Sequence, residues 1–249
     1  AIDLGASTVS GTYAVTATAD GDITDSGVLA ITGTSTLTAA DEQSIILDQS
    51  STFGTVAFVA SSGNLKNVTI NDSNAFDLSA LTLVQVSSAG GNLTVTAGGA
   101  ITESGDLSIA GVTTLAAGSG NNITLNRAGN NFQAAVKITS GANVTLVDAG
   151  AIDLGASTVS GTYAVTATSG GGITDSGVLA ITNGATFTVA GGQSIILDQS
   201  STFSSTVTFT PSSGTIAAVT INDSNAFDLK ALTTTGNLTV TAGGAVTDS

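Results

Sequence analysis

The chain repeats itself over long stretches, and this repetition restricts its fold more than any other feature. The eighteen residues AIDLGASTVSGTYAVTAT occupy positions 1–18 and recur, letter for letter, at positions 151–168. The segments ITDSGVLAIT and QSIILDQSSTF, which begin at Ile23 and Gln43, also recur 150 residues later. A chain made of near-identical copies stacks one structural unit on the next, so we expect a repeat architecture.

A shorter repeat lies inside the long one, because AFDL at 75–78 and 226–229 matches the AIDL at 1–4. This match divides the chain into units 1–74, 75–150 and 151–225 and a truncated unit 226–249. The motifs run through the whole length without a change in composition. We therefore expect residues 1–249 to form a single continuous solenoid, cut from a longer array.

Composition limits the partners and the chemistry of the chain. Only 9% of the residues are charged, and the 18 acidic and 4 basic residues give a net charge of −14. Nucleic acids and anionic lipids are bound by clustered lysine and arginine, so the sequence excludes nucleic-acid binding and disfavours binding to anionic lipid. No apolar run approaches the ~18 residues of a membrane span, which argues against membrane insertion. Without cysteine, the fold depends on packing and hydrogen bonds.

Short alternating runs predict β-strands. Apolar and polar residues alternate in GNLTVTAG (91–98) and TVTFT (206–210), the period of a half-buried strand. Acids follow such strands about every 25 residues, so we predict an all-β solenoid of about ten turns of ~25 residues, three turns for each ~75-residue unit. An antiparallel sandwich or a propeller is the alternative, but hairpins give no reason for this period. Six phenylalanines should stack inside: Phe53, Phe58, Phe76, Phe203, Phe209 and Phe227.

The acids at the strand ends are the most suggestive candidate site. Six aspartates define it, namely Asp25, Asp48, Asp72, Asp175, Asp198 and Asp223, and Glu103 and Asp148 continue the series. Carboxylates on adjacent turns about 5 Å apart would repel each other, and calcium bound between turns would relieve the repulsion. Alternatively, each aspartate closes a corner by accepting backbone N–H hydrogen bonds. The sequence favours corner closure and leaves calcium as the only candidate cofactor.

The composition lacks most of the residue types that enzymes use for catalysis. The chain has no histidine and no cysteine, which removes the usual general base, the Ser-His-Asp triad and nearly every zinc site. Carboxylate pairs alone can cleave polysaccharides, but such sites also need basic and aromatic residues to hold the sugar. We expect no enzyme. Threonine pairs such as Thr94/Thr96 and Thr208/Thr210 suggest an ice-binding solenoid as a minor alternative.

Three segments resemble the repeats of filamentous-haemagglutinin-like proteins, which are very large bacterial surface or secreted adhesins. They are GNLTVTAGGAITESG (91–105), NNITLNRAGNNF (121–132) and AIDLGASTVSG (1–11). The resemblance covers essentially the whole chain. It implies a right-handed parallel β-helix, export to the bacterial cell surface or the extracellular space, and a role in adhesion or cell–cell contact.

Together these observations predict a structural role. We expect a stalk, fibre or coat segment of a large surface protein that associates with itself end-to-end or laterally. The alternative is a ligand-binding or glycan-binding face that contacts another cell surface. A contiguous exposed patch of aromatic or charged side chains would favour the alternative.

Overall fold

A computed structural model describes residues 1–86 and 89–248 of the chain. Every helix or strand assigned within these residues is a β-strand. The strands of the first half are β1 (Ile2–Leu4), β2 (Ser7–Val9), β3 (Tyr13–Thr16), β4 (Ile23–Asp25), β5 (Leu29–Ala39), β6 (Ile45–Ala60), β7 (Val68–Asp72), β8 (Phe76–Leu78), β9 (Leu81–Leu83), β10 (Gln85–Val86), β11 (Ala89–Gly90), β12 (Leu93–Ala97), β13 (Ile101–Glu103), β14 (Leu107–Ile109), β15 (Thr113–Ala116) and β16 (Ile123–Leu125).

The second half continues in the same way. Its strands are β17 (Asn131–Phe132), β18 (Val136–Ser140), β19 (Val144–Asp148), β20 (Ile152–Leu154), β21 (Ser157–Val159), β22 (Tyr163–Ala167), β23 (Ile173–Asp175), β24 (Leu179–Ile181), β25 (Ala185–Val189), β26 (Ile195–Phe203), β27 (Val207–Pro211), β28 (Val219–Asp223), β29 (Phe227–Leu229), β30 (Leu238–Ala242) and β31 (Val246–Asp248).

The strands pair in parallel from one turn to the next, forming sheets of 17, nine and three strands. The short strands β10 and β11 form a separate antiparallel pair. The chain is therefore a β-solenoid of about 11 turns of ~22 residues. This confirms the predicted fold over the antiparallel sandwich, with turns about three residues shorter than the acid spacing had indicated.

The shorter turn changes how the sequence repeat maps onto the solenoid. Seven steps of parallel pairing lead from β1 to β20, through β4, β6, β7, β12, β15 and β18. Both end strands carry the same sequence IDL, 150 residues apart. A unit of 75 residues therefore makes about three and a half turns instead of the predicted three.

Because of the extra half turn, successive units present the same motif on different sheets. VTIND in β7 and β28 belongs to the 17-stranded sheet, whereas the corresponding VTLVD in β19 belongs to the nine-stranded sheet. In the same way, IDL of β1 lies in the larger sheet and FDL of β8 in the smaller. A motif thus returns to its own face only in every second unit.

The interior is a continuous stack of aliphatic side chains. Ile23, Ile45, Val68 and Leu93 are register partners on four successive turns, and all four are fully buried. Burying one such side chain stabilises the fold by roughly 1.5–3 kcal/mol. The six predicted phenylalanines are buried as expected. Sequence reasoning missed Tyr163 and Phe187, whose rings meet edge to face with centroids 6.2 Å apart.

Candidate functional site

The six predicted aspartates occupy two different environments. Four are buried, with exposed fractions between 1% and 8%: Asp25, Asp72, Asp175 and Asp223. The other two, Asp48 and Asp198, are exposed. Side chains alternate along a strand, so an acid that directly follows an inward leucine, as Asp48 follows Leu47, points to solvent.

The predicted acids of successive turns are not register partners. Asp25 pairs with Leu4 of the preceding turn. Asp72 pairs with Ser51 of the turn before it and with Ala97 of the turn after it. Asp25 and Asp72 therefore do not form an in-register column of carboxylates, because the acids occupy different places in their strands, although Asp48 on the next turn still repels the carboxylate of Asp25.

One group of buried acids caps the turn that precedes it. Asp72, Asp148 and Asp223 each end a five-residue strand. Each carboxylate accepts a hydrogen bond from the N–H two residues ahead and another from the N–H of a phenylalanine one turn back. The donors are Asn74 (3.0 Å) and Phe53 (3.4 Å) for Asp72, Gly150 and Phe132 (both 2.6 Å) for Asp148, and Asn225 (3.0 Å) and Phe203 (3.2 Å) for Asp223.

A second group caps the turn that follows it. Asp25 Oδ1 accepts the backbone N–H groups of Asp48 at 2.9 Å and Gln49 at 3.4 Å. Asp175 makes the same two bonds, at the same distances, to the N–H groups of Asp198 and Gln199. In the related ITES segment, Glu103 Oε1 accepts the N–H of Arg127 at 2.6 Å and the side-chain amide of Asn130 at 3.0 Å.

Most of these caps use one carboxylate oxygen, whereas Asp148 uses both. The second oxygen is buried without a hydrogen-bond partner in Asp25, Asp72, Asp175 and Glu103. Burial disfavours the charged form, so it raises the pKa of Asp25, Asp72, Asp148 and Glu103. Burial raises the pKa of Asp175 to about 6, and repulsion from Asp198 and Asp153 adds to the effect.

The exposed acids hold neighbouring side chains in place. Asp48 Oδ1 accepts the side-chain amide of Gln49 at 2.8 Å, and Asp198 does the same for Gln199 at 2.9 Å. Among residues 1–86 and 89–248, no three histidine, cysteine, aspartate or glutamate side chains group together to hold a metal ion. Calcium binding by these acids stays a prediction.

Two serines that sequence reasoning missed, and one asparagine from the asparagine-rich corners that the sequence indicated, complete the corners. The Oγ atoms of Ser51 and Ser201 accept the N–H groups of Leu29 and Leu179, both at 2.9 Å. The fully buried Asn130 accepts the N–H of Leu107 at 3.0 Å. The exact repetition of QSSTF around both serines was the available signal, because a polar residue repeated inside a strand needs an internal partner.

The threonine pairs form short ladders. Thr186 and Thr188 are register partners of Thr208 and Thr210 on the next turn. The pair Thr94/Thr96 instead lies between Thr69/Asn71 and Thr114/Ala116. A threonine pair thus repeats on two adjacent turns at Thr186/Thr188 and on a single turn at Thr94/Thr96. An ordered threonine array of this size covers only a small area.

The comparison with known proteins identifies the repeat. The family described as repeats of unknown function (DUF5649) matches residues 1–60, 65–139, 141–210 and 216–249. The chain belongs to this family. No curated protein and no solved structure matched it. In the described part of the chain, no helix has the length and apolar character needed to cross a membrane.

The DUF5649 repeat corresponds to the 75-residue unit. Its matches begin at residues 65, 141 and 216, close to the starts of β7, β19 and β28. In each of these three matches, the first strand therefore ends with a capping aspartate. One DUF5649 repeat contributes about three and a half turns, its own carboxylate caps and a section of the common core.

Proposed function

We propose that this chain is a structural segment, a stalk, fibre or coat, of a large bacterial surface or secreted adhesin-like protein. The observation that carries the proposal is the repetition of core, corners and caps in every DUF5649 repeat. The caps of Asp25 and Asp175 have the same donors and distances 150 residues apart. A catalytic or specific binding site would be expected to interrupt such a repeat, whereas a spacer gains length from each copy.

The arrangement of hydrogen bonds suits a mechanical role. Interior strands such as β12 and β22 are bonded to the turns on both sides, so a force along the axis acts on many bonds together. With strands spaced about 4.8 Å apart, 11 turns give a rod about 50 Å long. A rod of this kind would hold an adhesive domain away from the cell.

The surface supports a spacer that is exposed to solvent. The most exposed large apolar side chains in the described residues are aliphatic: Val28, Val59, Val178, Ile196, Leu238 and Val246. Glycan-binding sites commonly stack sugar on aromatic rings, and here the phenylalanine rings and Tyr163 lie in the core, while Tyr13 is partly buried. The net charge of −14 favours solubility and opposes adsorption to anionic surfaces. Export to the bacterial surface is part of the proposal and rests on the adhesin-like segments.

Small-angle scattering and electron microscopy of the isolated chain test the proposed shape and role together. We expect a rigid rod of the length given above, with no binding to a glycan array or to bacterial cells. Compact particles would contradict the stalk, and saturable binding to one glycan class would favour the adhesive-face alternative. Inhibition of ice recrystallisation would favour the ice-binding alternative.

A further inference from the structure

One corner of the second copy differs from the first, although the ten residues before it, ITDSGVLAIT, are identical in the two copies. In the first copy, β5 runs without a break through Gly33 and Thr34. In the second copy, the corresponding residues are Asn183 and Gly184, and they lie between the end of β24 and the start of β25. The backbone of this corner therefore belongs to no strand.

The side chain of Asn183 is exposed at this corner. Its Nδ2 donates a long hydrogen bond, 3.3 Å, to the carbonyl oxygen of Ser160 on the preceding turn. The N–H of Asn183 donates to the carbonyl of Gly161 at 3.2 Å, whereas the N–H of Gly184 donates to no residue that the structure describes. The backbone nitrogen next to the Asn183 amide is therefore not held by a protein acceptor.

Asn183 is the only asparagine of the chain that a glycine follows. Glycine has no Cβ, so its backbone nitrogen reaches the preceding side chain through conformations that other residues do not adopt. Each of the other asparagines precedes a residue with a side chain, and the smallest of these is the alanine after Asn74 and Asn225. Attack by the following nitrogen is thus favoured at one site.

We propose that Asn183 is a site of spontaneous deamidation, which gives this one corner a new carboxylate. Asparagine is among the residues that are chemically labile in proteins. The inference stands on the geometry of the corner and does not depend on the proposed function.

The reaction needs only water as a co-reactant. The nitrogen of Gly184 gives its proton to solvent and bonds to Cγ of Asn183. The bond from Cγ to Nδ2 breaks, and the amide nitrogen takes up a proton and leaves as ammonia, so a five-membered succinimide remains. Water then opens the ring. Breaking the bond from nitrogen to Cγ gives aspartate, whereas breaking the bond from nitrogen to the main-chain carbonyl carbon gives isoaspartate.

The corner also offers a matched control. A Cβ at Gly184 would lie 3.5 Å from Oγ1 of Thr206, an ordinary contact, and the φ of Gly184 is outside the left-handed region. Gly184→Ala therefore fits the fold and hinders only the attack of the nitrogen. The first copy cannot carry the same pair, because a Cβ at Gly33 would lie 2.2 Å from the carbonyl oxygen of Gly11.

Incubation of the whole chain at mildly alkaline pH, followed by cleavage before aspartate and mass spectrometry, tests the site. The unreacted chain releases residues 175–197, whose only asparagine is Asn183. Replacing the amide by a carboxyl group raises the mass, and an aspartate at residue 183 adds a cleavage site that isoaspartate does not. We expect the conversion to speed up about tenfold per pH unit, as the deprotonated fraction of the Gly184 amide rises. Gly184→Ala should convert about tenfold more slowly.

Circular dichroism before and after incubation checks that the solenoid stays folded. Asn74 and Asn225 should remain intact over the same period. Conversion at either of them equal to that at Asn183, or unchanged conversion in Gly184→Ala, would overturn the assignment to this corner. Conversion in urea with none in the folded chain would show that the corner holds the two groups apart, and it would refute the proposal.

Discussion

At the scale of single residues, Glu42 is the one position where the two copies differ in backbone strain. Among the described non-glycine residues it alone has a positive φ, 60°, and its counterpart 150 residues later is Gly192, with φ 78°. Both residues donate their N–H to the next turn, at 2.9 Å and 2.8 Å. The corner therefore keeps its geometry in both copies, although only glycine adopts it without a steric penalty.

Exchanging these two residues should shift stability in opposite directions. A left-handed conformation costs a residue with a Cβ roughly 1–2 kcal/mol, part of which glycine loses again through chain entropy. We expect Glu42→Gly to raise the free energy of unfolding by about 1 kcal/mol and Gly192→Glu to lower it by a similar amount. Urea denaturation measures both. Equal and same-signed effects would contradict this account.

The buried and exposed aspartates also allow a matched test. Removing the Asp72 carboxylate leaves the N–H groups of Asn74 and Phe53 without their acceptor. We expect Asp72→Ala to lower the free energy of unfolding by about 1–3 kcal/mol. Asp48→Ala, at a solvent-facing site, should stay within about 0.5 kcal/mol of the wild type. Similar losses in both variants would show that burial does not distinguish the two acids.

At the scale of strands and turns, the sequence predicted the fold class and the buried phenylalanines but not the turn length. Alternation within segments such as residues 91–98 is local, so it identifies strands without knowledge of their neighbours. The spacing of acids misled, because Asp25 caps the following turn, Asp72 caps the preceding one and Asp48 caps neither. The number of residues between two acids equals the length of one turn only when both acids occupy the same place in their turns.

The same local reasoning explains how much of the candidate site could be predicted. Corner closure by aspartate followed from its chemistry, and the four buried aspartates of the predicted six fulfil it. Which acids lie inside depends on their position within each strand, and hence on the register between turns. Register is set when the sheets assemble, so the local sequence does not reveal it. The half-turn offset between units cannot be deduced from the sequence without the length of a turn.

Calcium can be tested against this picture of the corners. Calcium takes six to eight oxygen ligands, whereas the bonded oxygens of Asp25 and Asp175 each accept two N–H groups. We expect the unfolding temperature to be the same in millimolar calcium and in excess chelator, with magnesium at equal ionic strength as the control. A rise specific to calcium that chelator reverses would contradict corner closure as the only role of the acids.

At the scale of the whole molecule, the contributions of the repeated caps to stability add up along the solenoid. The caps made by Asp25 and Asp72 recur at Asp175 and Asp223, and the described residues share one core. Stability in such a stack is close to a sum of units and of contacts between neighbours. The buried acids therefore act together on the response of the whole rod to pH.

We expect the rod to be more stable in mild acid than at neutral pH. A carboxyl group whose pKa is raised by folding binds its proton more tightly in the folded state. The pKa of Asp175 is 3.8 in the unfolded chain and about 6 in the folded rod. The free energy of unfolding should therefore fall as pH rises between these two values and then level off. The net charge of −14 acts in the same direction, since acid also relieves repulsion among the exposed carboxylates.

Asp175→Asn separates the two contributions. Asparagine keeps an oxygen for the N–H groups of Asp198 and Gln199 but cannot ionise. It should stabilise the rod at pH 7 by about 1–2 kcal/mol and have little effect near pH 4, which flattens the pH profile of unfolding in urea. Added salt should raise stability at pH 7 in wild type and variant alike, because it screens the surface charge and leaves the buried group unaffected. A variant whose profile runs parallel to that of the wild type would place the pH dependence at the surface rather than in the corners.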